Sequence, residues 1–278
     1  MALPTTLLLK HGFSGSKFHM QRLNILDIWV DNVDEQKALE QAATFLRATG
    51  GPKAIFASNP EKQFLVSKNP LLYQAYREAG LLLPDGIGMV LAARILHKAK
   101  LQRVPGSEFI FGLCGLASRE GKGIFVYGSR EEVNQNAIRK LKKRFPDLIV
   151  SGRQNGYIPD SEMPSLIRRI NESKAAILFL ALGSPKQEVW FAKYKHELKT
   201  VRVCQGVGGT LDTIAGYVRR APAAWCRLNL EWLYRLLREP QRIKRQKMLP
   251  VFAAMVFQEA LRTRLLPKAE RSCEKHLS

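Results

Sequence analysis

Leu182-Gly183-Ser184-Pro185-Lys186-Gln187-Glu188 is the stretch of this sequence best equipped for chemistry. It follows the almost wholly apolar run 175–181 and precedes a helix-like segment, 189–198. A buried strand therefore runs into a glycine turn at Gly183 and then into a helix N-terminus. Free backbone N–H groups and the helix dipole make such a junction an anion site. Lys186 adds a cation to the first helical turn and Gln187 an amide donor. An ordinary βα turn has the same outline.

Asp85 is the second such residue. Pro84 and Gly86 force a turn, and the carboxylate is presented at its tip, just before a helix pattern. It suits a general base, a metal ligand or a helix N-cap, and local sequence favours the cap. Ser58 and Asn59, in Ala57-Ser58-Asn59-Pro60-Glu61, end a strand pattern and suit either a sugar or phosphate contact or a cap. Arg103, in Gln102-Arg103-Val104-Pro105-Gly106, suits a bidentate diphosphate contact or a solvated surface position. Gln205-Gly206-Val207-Gly208-Gly209-Thr210 resembles a dinucleotide fingerprint only weakly, because no later strand carries the acidic residue a ribose needs. It still permits close backbone approach to a ligand, with Asp212 as a cap or a polar contact. There is no DxD-like pair and no HExxH motif, so no metal site is expected, and no cofactor.

These residues need a scaffold that brings turns together. Strand patterns fall at residues 23–30, 54–58, 123–127, 148–151, 175–181 and 201–205. Helix patterns fall at 34–48, 70–79, 86–96, 107–119, 131–145, 161–172 and 186–198. The alternation predicts an α/β fold: a Rossmann-like, mainly parallel sheet with helices on both faces. Several strand patterns end in Gly or a small polar residue, among them Ser58, Gly128 and Gly183, and ligands of such sheets sit beyond those ends.

After Gly216 the strand patterns stop. Residues 217–278 carry 14 Lys/Arg against 5 Asp/Glu, a net charge of +9. Trp225, Leu228, Trp232 and Leu236 follow helical 3–4 spacing. So do Arg235, Arg238, Arg242 and Arg245, while Pro240 breaks one helix and starts another. The expected organisation is a flexible leader over 1–20, an α/β catalytic domain over 21–216 and a basic helical appendage over 217–278. The whole chain of 278 residues has a net charge of +20 and a mean hydropathy of −0.17. That balance calls for a globular protein with polyanionic surroundings: nucleic acid, anionic lipid or phosphate-bearing substrates. The four cysteines, Cys114, Cys204, Cys226 and Cys273, form no CxxC or Cys/His cluster, so neither zinc nor a disulfide framework is indicated. No apolar run approaches the length of a membrane span.

Taken together, the motifs resemble the WecG/TagA/CpsF glycosyltransferases of bacterial surface polysaccharide and wall teichoic acid synthesis. The resemblance rests on Ser58-Asn59-Pro60-Glu61, Pro84-Asp85-Gly86, Arg103-Val104-Pro105-Gly106, Val126-Tyr127-Gly128, Asn155-Gly156-Tyr157, the stretch from Leu182 to Glu188, and Gly206-Val207-Gly208-Gly209. Arg220-Ala221-Pro222, Leu230-Glu231-Trp232-Leu233-Tyr234-Arg235, Glu239-Pro240 and Arg242 continue it. It implies a metal-independent, inverting transfer from a UDP-sugar to a saccharide on a polyprenyl diphosphate, at the cytoplasmic face of the membrane. It implies Asp85 as the catalytic base, Asn59 beside the reacting centre and Gln187 on the nucleotide-sugar. It also implies substrate contacts from Ser58, Arg103, Gly128, Tyr157, Gly183, Lys186 and Asp212. The appendage would supply Arg220, Arg235, Arg238, Arg242 and Arg245 to the diphosphate and to an anionic membrane surface.

Two other readings compete. A nucleic-acid-binding module fits the charge and the interleaved Trp225, Trp232, Tyr234 and Arg235, but rings at helical spacing look like packing residues, so no nucleic acid partner is expected. A nucleotide-dependent oxidoreductase rests only on Gly206-Val207-Gly208-Gly209. The donor sugar, the acceptor saccharide and the oligomeric state, a homo-oligomer included, stay open.

Overall fold

The computed structural model describes residues 20–219, 221–222, 224–225, 231–238, 243 and 247–265. It opens with a hairpin of β1 (Arg22–Ile25) and β2 (Ile28–Asp31). The segment read from sequence as one strand over 23–30 is therefore two. The two-residue turn between them is Leu26-Asp27, both with positive φ, 53° and 67°. Such turns usually announce themselves with Asn-Gly or Asp-Gly; here the signal is missing, and Asn24 Oδ1 instead accepts the Asp27 N–H at 3.0 Å.

The main sheet is six-stranded and wholly parallel, in the order β4-β3-β8-β7-β5-β6. Its strands are β3 (Lys53–Ser58), β4 (Leu81–Pro84), β5 (Ile124–Gly128), β6 (Val150–Gln154), β7 (Ile177–Ala181) and β8 (Val203–Gly206). All five residues of β5 and of β7 are buried, as expected for strands covered on both faces. Five of the six strands were legible in the sequence. β4 was not, because four residues ending in proline carry little pattern. It forms an edge of the sheet, where a terminal proline is tolerated. Buried Asp31 closes that edge: its Oδ2 accepts the Leu82 N–H at 2.7 Å, and Arg22 holds the carboxylate at 2.8 and 2.9 Å.

Helices cover the sheet in two layers. On one face lie α2 (Pro60–Val66), α3 (Pro70–Arg77), α4 (Ile87–His97), α7 (Met163–Glu172) and α8 (Lys186–Tyr194), whose apolar sides join Phe56, Leu82, Leu178 and Cys204. On the other lie α1 (Glu35–Arg47), α5 (Gly106–Arg119), α6 (Glu131–Arg144) and α9 (Thr210–Ala215), packed on Ile55, Leu83, Val126 and Phe179. The chain leaves β3 toward the first layer and β8 toward the second, although the two strands are neighbours. That junction is a topological switch point, where open α/β sheets bind ligands.

Gly216, with φ 89°, ends α9. Two further helices follow among the described residues: α10 (Glu231–Arg238) and α11 (Met248–Leu265). Phe252, Val256 and Ala260 form one buried stripe of α11, and the first two share the core with α4 and α2. Phe257, Leu261 and Leu265 form a second stripe that is exposed. A helix apolar on two sides has more to cover than one packing surface.

Candidate active site

The carboxyl ends of β3, β4, β7 and β8 open into a cleft of about 790 Å³, roofed by α10 and α11. Asn59, Asp85, Arg103, Gly183, Gln187 and Asp212 all line it. The fold thus gathers residues read separately along about 150 positions of chain. The Asp85 N–H donates to the Ser58 carbonyl at 3.0 Å, which ties the tip of β4 to the end of β3. The N-cap of α4 is Gly86, with φ 94° and no side-chain cap bond. The cap role that local sequence favoured for Asp85 is therefore taken one position later, by a residue without a side chain. Asn59 does cap its helix: its Oδ1 accepts the Lys62 N–H at 3.3 Å.

Gln187 is buried and links two strand-end turns. Its Oε1 accepts the Gly208 N–H at 2.9 Å, and a Cβ on Gly206 would meet its Nε2 at 2.5 Å. The glycine at 206 therefore makes room for Gln187. Arg103 reaches across the cleft to the roof, donating from Nη2 to Glu231 Oε2 at 3.0 Å, with its Nε buried and without a partner among the described residues. Asp212 lies at 3.9 Å from Arg130.

Other expected contacts lie elsewhere. Ser58 is fully buried and donates its hydroxyl to the Trp29 carbonyl at 2.7 Å, so it anchors the hairpin. Gly128 is a packing glycine: a Cβ there would come within 2.4 Å of the Ala181 backbone. Tyr157 is 76% exposed, and neither it nor Lys186 lines the cleft. Arg220, Arg242 and Arg245 lie outside the described residues, as do Cys226, Leu228 and the leader residues 1–19; Arg235 and Arg238 lie in α10, with their side chains outside the description.

Sequence reasoning missed a buried ion pair in the cleft. Lys62 Nζ lies 2.5 Å from Glu188 Oε1 and also donates to Ser184 Oγ; the two charged side chains are 7% and 1% exposed. Tyr76 lies beneath, donating its hydroxyl to the Ala57 carbonyl at 2.8 Å. Burial, and then the carboxylates of Glu188 and Asp85, push its phenol well above the ordinary value. Lys62 and Glu188 are 126 positions apart, and a lysine in Asn-Pro-Glu-Lys reads as solvated. Only the juxtaposition of the first turns of α2 and α8 reveals it. Among the described residues no group of three His, Cys, Asp or Glu side chains is placed to hold a metal ion.

A parallel sheet whose switch-point cleft is lined by carboxylates, two carboxamides and a guanidinium has the layout of a ligand-binding site. The sequence narrows the class. The profile of the glycosyl transferase WecG/TagA/CpsF family matches residues 23–265, and the chain belongs to that family. It is similar to the N-acetylglucosaminyldiphosphoundecaprenol N-acetyl-beta-D-mannosaminyltransferase of Bacillus subtilis (strain 168), 33% identical over 220 residues, 79% of this chain and 85% of the relative. It is similar also to the protein of the same description from Bacillus spizizenii, 34% identical over 202 residues, 73% of this chain and 77% of the relative. The chain is a glycosyltransferase.

Proposed function

We propose that the chain transfers a sugar from a UDP-sugar to a saccharide carried on a polyprenyl diphosphate, with inversion and without a metal ion. N-acetylmannosamine is the donor sugar suggested by the relatives' activity, and a diphosphate-linked N-acetylglucosamine the acceptor. The observation that carries the reading is the convergence of Asp85, Asn59, Arg103 and Gln187 on one cleft at the strand ends. Asp85 takes the proton of the acceptor hydroxyl as that oxygen attacks the anomeric carbon. The bond from that carbon to the β-phosphate oxygen breaks, and UDP leaves. Backbone N–H groups of the Gly183 turn, with Arg103, stabilise the charge developing on the diphosphate.

The acceptor's lipid places the enzyme at a membrane, and no helix among the described residues is long and apolar enough to cross one. The exposed stripe of Phe257, Leu261 and Leu265, with the basic residues of 217–278, suits a peripheral position on an anionic surface, the cytoplasmic face of the cell membrane. Each nearby basic residue adds about 1 kcal/mol to such attraction. The test is thermal protection by UDP with and without EDTA, followed by the anomeric configuration of the product. Protection that survives EDTA and an inverted product support the reading; loss of binding and turnover in EDTA contradicts the metal-free mechanism.

A further inference from the structure

Among the described residues one buried side-chain acceptor of the cleft lining has no hydrogen-bond partner. Glu188 Oε1 takes Lys62 and, at 3.4 Å, the Nε2 of Gln187. Glu188 Oε2 is buried and has no hydrogen-bond partner among the described residues. Glu188 is 1% exposed, yet it lines the cleft together with Lys62 and Ser184. Buried carboxylate oxygens are ordinarily satisfied, so an orphan one on a residue that lines the cleft calls for a donor from the ligand. Stability does not explain the pair, since well-packed apolar residues commonly replace a buried ion pair without loss.

Chemistry narrows what the donor is. An ionised carboxylate accepts hydrogen bonds and donates none. It repels a diphosphate and suits a group rich in O–H and N–H. We propose that Glu188, held by Lys62 and Ser184, is the subsite that reads the sugar ring of the nucleotide-sugar. Its second carboxylate oxygen accepts from a ring hydroxyl or an acetamido N–H. Lys62 pairs with the carboxylate in a buried place, and Ser184 fixes the ammonium at the turn after β7. This inference rests on the sugar-transfer reading above and adds to it a division of labour: the Gly183 turn and Arg103 hold the nucleotide's diphosphate, and Glu188 holds the sugar.

The test uses the full chain with both charges removed at once, Lys62→Met with Glu188→Leu, so that no lone charge is left buried. Dissociation constants for UDP and for UDP-N-acetylmannosamine are measured by calorimetry on this variant and on the wild type. The expected result is a loss of about ten- to a hundredfold for the nucleotide-sugar, the size of a charge-assisted hydrogen bond, with UDP affinity within about twofold. Glu188→Gln, which keeps the side-chain size, is the second variant and shifts the same ratio in the same direction if the double variant does not fold. Equal losses for both ligands would mean that Glu188 serves the nucleotide or the fold, and would overturn the inference, as would no loss for either. A wild-type protein that binds UDP but not the nucleotide-sugar also overturns it. A wild-type protein that binds neither removes the sugar-transfer reading itself.

Discussion

The floor of the cleft and its roof are built on different physics. The floor is made of strand ends, where backbone bonds such as Asp85 N–H to Ser58 O and Gly208 N–H to Gln187 Oε1 fix each turn to its neighbour. One of its ion pairs, Lys62 with Glu188, is buried. The roof is two helices whose contacts with the floor include Phe252 and Val256 in the core and Glu231 on Arg103. It exposes large apolar side chains at Trp232, Leu237, Phe257, Leu261 and Leu265. A rigid floor suits positioning of a reacting centre, since misplacement by an ångström can lose about two orders of magnitude. An apolar roof suits contact with the lipid side of an acceptor.

If the roof is the part that meets the membrane, changes there should separate lipid contact from chemistry. Phe257→Ser with Leu261→Ser alters only exposed positions. We expect the protein to stop sedimenting with anionic liposomes and to lose turnover on a polyprenyl-linked acceptor, while its melting temperature holds and UDP still protects it. Liposome binding at the wild-type level would place the membrane contact elsewhere. The floor should respond in the opposite way. Lys62→Met alone strands the Glu188 carboxylate and should destabilise the fold by about 3–5 kcal/mol, read as a fall in melting temperature with liposome binding intact. An unchanged melting temperature would mean that the pair is solvated.

The joint between the two regions is weaker. Glu231→Gln removes the charge that holds Arg103, and the loss of one charge-assisted bond, about 1.5–3 kcal/mol, should appear as looser α10. Faster amide exchange over 231–238 with no change over 203–206 would sharpen the distinction; uniform change over both would erase it. The smallest effect concerns the thiols of the buried core. Burial pushes Cys114 up to about 12, offset in part by Arg144, and pushes Cys204 well above its ordinary value. A raised thiol pKa keeps both groups protonated at pH 8, and thiolate is the reactive form. Site-resolved mass spectrometry after alkylation at pH 8 should find both unmodified in the native protein and both modified after unfolding.

How much of this was legible in sequence follows from how local each signal is. β7 and the start of α8 could be read because an apolar run, a glycine and a helical pattern are contiguous. The α2 cap at Asn59 was one of two readings offered for that residue, and the structure shows it, with Asn59 still facing the cleft. The hairpin turn at Leu26-Asp27 and the edge strand β4 were illegible because neither carries the residue types that usually mark them. In the site, the sequence singled out Asp85, Arg103 and Gln187, which stand beside turns. It could not separate these from Ser58 and Gly128, which also stand at strand ends but point into packing. That difference depends on which face the strand end presents. Lys62 opposite Glu188 was beyond reach, because a pair across 126 positions is created only by the sheet order. The exposed stripe of α11 was hidden by its neighbour, since the two apolar stripes blur into a run without periodicity.

The central claim is that Asp85 is the base of an otherwise preformed floor. The direct measurement is turnover of Asp85→Asn on a polyprenyl-linked acceptor with a UDP-sugar donor, beside its melting temperature and its protection by UDP. Gly86 caps α4 and Asn is nearly isosteric with Asp, so fold and nucleotide binding should be unchanged. Turnover should fall by about 10²–10⁴. Turnover near the wild-type level with the same fold would show that another group takes the proton, and the account of the floor would be wrong at its centre.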